Sequence, residues 1–94
     1  ARAVPVLLAA LPRLDVRREV VDALGDIADP STVQPLIDCL LSDTYVPVRA
    51  AAAHALGQLK DPAALQALEQ AAAQDTEARV ASEARRAVTR LRPK

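Results

Sequence analysis

The sequence predicts an all-α solenoid, a stack of about three helical hairpins containing five to six helices. Three observations predict it: self-similarity at an offset of 32 residues, a composition of small helix formers, and apolar positions recurring at three-and-four spacing. Alanine supplies 21 of the 94 residues and leucine 13, whereas Tyr45 is the lone aromatic and methionine is absent. Side chains that small let helices approach closely but bury little area each. Stability must then come from many repeated helix contacts and from helix propensity. A chain of this length is expected to form one domain, residues 1–94.

At the offset of 32, Val16-Arg17 meets Val48-Arg49, Ala23-Leu24-Gly25 meets Ala55-Leu56-Gly57, and Asp29-Pro30 meets Asp61-Pro62. Gln34 and Leu36 then meet Gln66 and Leu68, which makes nine identities between Val16–Leu41 and Val48–Ala73. Chance similarity in an alanine-rich chain would match alanines rather than glycines and Asp-Pro pairs.

In chain order, residues 1–13 read as the second helix of a partial repeat. Pro5-Val6-Leu7 and Leu11 correspond to Pro35-Leu36-Ile37 and Leu41 at an offset of 30. Val4, Val6, Leu7, Leu8 and Leu11 make this helix too apolar for the bare end of a stack, because terminal repeats carry a polar outer face. Another protein, or a domain preceding Ala1 in a longer chain, is therefore expected to cover Val4, Leu7, Leu8 and Leu11.

Residues 14–42 form a full repeat. Its first helix is expected over Val16–Ile27, preceded by Asp15, with Val20, Ala23, Leu24 and Ile27 as the buried stripe. Gly25 near its end permits a tight turn or a close helix contact. Asp29 is an N-cap with Pro30 at the first helical position, where a missing N–H does no harm. Val33, Leu36, Ile37, Leu40 and Leu41 then share one face of the second helix.

Residues 43–74 repeat the scheme: Asp43-Thr44 opens it, the first helix covers Val46–Leu59, and Asp61-Pro62 starts a second helix carrying Leu65, Leu68 and Ala72. Residues 75–92 begin a third copy, with a first helix over Glu77–Leu91 and Thr89 in the glycine's place, as if no second helix folds back after it. Arg85, Arg86 and Arg90 alternate with small residues as in a capping helix. Pro93-Lys94 reads as a tail, and the whole as the C-terminal segment of a larger protein.

Twelve basic residues balance twelve acidic ones, so no global field draws the chain to nucleic acid or to an anionic membrane. From Thr76 onward six basic residues face only Glu77 and Glu83, but cations near a helix C-terminus complement its dipole, and no aromatic residue is at hand to stack on bases. No apolar run is long enough to span a bilayer, and Pro5 interrupts any leader-like stretch. A soluble, cytoplasmic protein is expected.

Catalytic chemistry finds few residues. His54 is the one histidine, and its counterparts Asp22 and Arg86 mark a position on the solvated helix face. Cys39, the one cysteine, aligns with Ala71 and reads as a small semi-buried thiol; it can form no internal disulfide and lacks partners for a metal site. Asp29, Asp61, Asp43 and Asp75 have helix-end explanations, and the two glycines are too far apart for a phosphate loop. The expected site inventory is no catalytic residue, no cofactor and no metal.

The run Val48-Arg49-Ala50-Ala51-Ala52-Ala53-His54-Ala55-Leu56-Gly57-Gln58-Leu59-Lys60-Asp61-Pro62, followed by Ala63-Ala64-Leu65, resembles the short HEAT repeat of the phycobilisome-lyase-like group. The run Val16–Pro30 resembles it too. The resemblance implies right-handed stacking of hairpins, with second helices lining an inner, binding surface. It spans scaffolding and transport proteins as well as bilin-lyase-like proteins that handle a small ligand, which is the alternative function. Two departures stand out: Ala28 and Lys60 replace the glycine that often precedes Asp-Pro, which predicts a less sharply left-handed turn, and Ala81 breaks the ladder begun by Arg17 and Arg49.

With no catalytic set, the expected function is a non-enzymatic scaffold for protein–protein interaction. The residues expected to meet a partner lie on the inner helix face: Gln34 and Asp38 in one copy, Gln66, Glu69 and Gln70 in the next.

Overall fold

The computed structural model describes residues 3–11, 13 and 16–92. Among them are six α-helices and no strand: α1 (Ala3–Ala10), α2 (Arg17–Ile27), α3 (Val33–Ser42), α4 (Val46–Leu59), α5 (Leu65–Gln74) and α6 (Ala78–Leu91). Short 3₁₀ turns, Pro30–Thr32 and Pro62–Ala64, lead into α3 and α5. The first helices of the three copies stand within a residue of where their periodicity put them, whereas α1 is shorter than the 1–13 expected and α3 and α5 begin three residues after the expected Pro30 and Pro62, behind the 3₁₀ turns. Asp15 and the Pro93-Lys94 tail lie outside the described residues.

Helices α2, α4 and α6 pack side by side as one layer, and α3 and α5 adjoin in a second layer laid against it. The result is an all-α solenoid, a slab 34 × 27 × 15 Å. Contacts between layers are closest for α3 with α4 and for α5 with α6, across the loops at Asp43 and Asp75. The helices flanking each Asp-Pro turn approach less closely, so the tight pairs are offset by one helix from the units counted along the sequence.

A shared core runs through both layers, with Val21, Leu24, Leu36, Leu40, Leu56, Leu68 and Val80 fully buried. Helix α4 is the middle of it and buries Val48, Ala50, Ala52, Ala53, Ala55, Leu56 and Gly57, leaving only His54 of its residues exposed. Alanine is what permits this: three neighbours, α2, α3 and α6, close on α4 at once, and longer side chains would hold them off.

The expected stripes need correction at their edges. Ile27 is 39% and Leu41 42% exposed, Ala23 and Ile37 are half-buried, and Val21 joins the centre of the core. Ala55 and Ala87, the counterparts of Ala23, are sealed because the preceding first helix lies against them; α2 is the first described helix of its layer and has no such neighbour. In α1, Val4 is buried by the chain itself, Leu7, Leu8 and Leu11 are half-buried, and Val6 is 69% exposed.

Two turn expectations are also corrected. Ala28 and Lys60 sit at φ/ψ of 57/42° and 55/32°, fully left-handed despite their side chains, and each donates its N–H back to the helix, to the carbonyls of Leu24 and Leu56. The glycines serve packing rather than reversal. A Cβ on Gly25 would stand 2.7 Å from the Cβ of Ala55, and one on Gly57 3.1 Å from the Cβ of Ala87. Thr89, at the corresponding place, is exposed and donates its hydroxyl to the Arg85 carbonyl.

Candidate partner-binding face

The face expected to meet a partner is carried by α3 and α5, whose direction is set by their Asp-Pro starts. The carboxylates of Asp29 and Asp61 accept the N–H of Ser31 and of Ala63, each at 2.9 Å, so both segments leave their turns in the same direction. The Ser31 backbone N–H, with its hydroxyl in support, holds the Asp29 carboxyl below its ordinary value. Thr32, fully buried, donates its hydroxyl to the Asp29 carbonyl at 2.7 Å. Matched entry angles keep α3 and α5 in register, and residues 32 apart become neighbours across the face.

Gln34, Asp38, Gln66 and Gln70 are all exposed. Gln34 donates through Nε2 to Asp38 at 3.0 Å, and Asp38 forms no ion pair among the described residues. Glu69 is placed differently: it is half-buried and forms an ion pair with Arg92, just past the end of α6. That contact joins α5 to the residue after α6 at the surface and leaves the Glu69 side chain 43% exposed.

Beneath this row runs a repeated ion pair that the sequence reading missed. Arg17 donates through Nε to the Leu11 carbonyl at 2.8 Å and through Nη1 to Asp43 at 2.7 Å. One repeat later Arg49 donates to the Asp43 carbonyl at 2.9 Å and to Asp75 at 3.0 Å. The second oxygen of each carboxylate accepts a backbone N–H, from Tyr45 at 2.8 Å and from Glu77 at 2.9 Å. Each arginine thus ties the loop before its own helix to the loop that follows the next. The signal was present, since both arginine–aspartate separations are 26 residues. Ala81, at the third place, is buried and ends the series.

Two concavities open along these ion pairs. One, of about 430 Å³, is lined by Leu11, Arg17, Asp38, Cys39, Ser42 and Asp43 among others. The other, of about 290 Å³, is lined by Leu41, Arg49, Gln70, Ala71, Gln74 and Asp75 among others. Burial pushes the Cys39 thiol above its ordinary value, the carboxylates of Asp43 and Asp38 add to this, and Arg17 opposes it. His54 stands exposed on the opposite side, near Glu83, Arg86 and Arg90. Among the described residues no cluster of three metal-ligating side chains occurs, and no helix is long and apolar enough to cross a membrane.

A family described as HEAT repeats matches residues 3–89. A search of curated proteins finds none that matches.

Proposed function

The chain belongs to the HEAT-repeat family, and on that premise we propose that it is a non-catalytic scaffold that docks another protein on the face carried by α3 and α5. One observation carries this reading: Gln34, Asp38, Gln66 and Gln70 occupy equivalent, exposed places on adjoining helices, and none has a role in holding the two layers together. A continuous polar platform over a rigid repeat core is the form in which stacked helices meet partners. Of the residues expected to be covered, Val4 is already buried; Leu7, Leu8 and Leu11, half-buried beside the exposed Val6, are the second surface that the reading gives to another protein or to a preceding domain of a longer chain.

The test compares proteins captured by the full chain and by a variant with Gln34→Lys, Asp38→Lys, Gln66→Lys and Gln70→Lys, after circular dichroism has shown equal helix content. The variant is expected to lose the partners. Recovery of the same partners by both proteins places the binding surface elsewhere.

A further inference from the structure

The two inner-face concavities are one arrangement used twice. Arg17 and Arg49, Asp38 and Gln70, Cys39 and Ala71, Ser42 and Gln74, and Asp43 and Asp75 are all 32 apart, and Leu11 corresponds to Leu41. Each has a leucine on one wall, a polar pair on the other and an arginine–aspartate ion pair at its floor. We propose that they are two sockets of one track, which takes an extended peptide bearing a basic and an apolar side chain three positions apart. The proposal rests on the inner face being the docking surface.

Charge distinguishes the sockets. Among the described residues each floor pairs one cation with one anion, Arg17 with Asp43 and Arg49 with Asp75. On the wall of the first, the Asp38 carboxylate accepts the Gln34 amide and forms no ion pair among the described residues, so a lysine or arginine head completes it while Leu11 beds the aliphatic stem. In the second, neutral Gln70 replaces that carboxylate and Leu41 presents an exposed apolar wall, which suits an apolar side chain.

Spacing selects the backbone. The sockets are one repeat apart, and their separation is taken as the roughly 8–10 Å at which neighbouring helices pack. A polyproline-II segment, a major conformer of unfolded chains, rises about 3.1 Å per residue and repeats its face every third, about 9.3 Å. A strand returns to the same face only at about 6.6 or 13 Å. A helix could match the distance with anchors seven apart, but its backbone groups are already paired. The exposed amides of Gln34, Gln66 and Gln70 both donate and accept, and so suit a peptide whose backbone is free.

The probes are synthetic peptides, Lys-Pro-Ala-Leu and Leu-Pro-Ala-Lys in Gly/Ser flanks, with versions having one or six residues between the anchors. Cys39, the one cysteine, reports the first socket through its rate of alkylation at pH 9; Gln74→Cys, at an exposed place on the wall of the second, reports that one in a Cys39→Ala background. One of the two orders at three-residue spacing is expected to bind the full chain and slow alkylation at both sites at least fivefold. Asp38→Asn is expected to weaken that peptide at least tenfold and to leave a norleucine-for-lysine version unchanged. No protection, protection that ignores spacing, indifference to Asp38→Asn, or a preference for the six-residue helical spacing would each overturn the proposal. If the four-lysine variant loses its captured partners while the peptides fail to protect, the inner face stands as the docking surface and only the paired sockets fall.

Discussion

At Ala28 and Lys60 the backbone is left-handed, with φ of 57° and 55°, a region where a Cβ crowds the following carbonyl at a cost of roughly 1–2 kcal/mol. Glycine has no such conflict but loses more freedom on folding. Ala28→Gly and Lys60→Gly are therefore each expected to stabilise the chain, by about 1 kcal/mol in urea unfolding; a loss of stability would show that the crowding has been relieved by other means. The sequence signalled the helix starts better than these turns. Asp29 and Asp61 act on N–H groups two residues away, so their role follows from local order alone. The handedness at residues 28 and 60 is imposed by where α3 and α5 must run, and no glycine was there to advertise it.

Helix against helix, the decisive contacts are small. Gly25 lets α2 meet α4, and Gly57 lets α4 meet α6, but the two are not equally tight: an added Cβ would reach 2.9 Å from the Cα of Ala55 in the first case and 3.3 Å from the Cα of Ala87 in the second. Gly25→Ala is expected to cost about 2 kcal/mol, because backbone must move. Gly57→Ala should lie within about 1 kcal/mol of neutral, since the helix propensity gained offsets a slight shift of α6. Thermal unfolding of the two variants checks the order, and equal losses would contradict the difference in approach. Leucine spacing alone was enough to identify α3 as a helix with Leu36 and Leu40 inward; whether Leu41 was covered depended on the neighbour at its edge.

For the molecule as a whole, a radius of gyration of 12.0 Å is that of a compact domain of this length, about 12 Å. One core connects α2 through α6, so these five helices should unfold together rather than one after another. Leu56→Ala in the central helix is expected to remove about 3 kcal/mol while leaving one transition, the same by far-UV circular dichroism and by amide exchange. Separate transitions for the two ends would mean that the repeats are thermodynamically independent.

The repeat, the helices, the Asp-Pro starts and the burial of Leu24, Leu36 and Leu68 were legible in the sequence by itself, because each depends on residues within a turn or two or on a period that the chain repeats. The tertiary structure alone decided which helices pair most closely, which apolar edges stay bare at Ile27 and Leu41, and that Arg17 and Arg49 reach 26 residues forward to Asp43 and Asp75. It also turned Glu69 toward Arg92 and opened two matching concavities beside Asp38 and Gln70. Local propensity and periodicity govern each helix, but an ion pair or a cleft exists only once stacking has set the distance between helices that the chain keeps far apart.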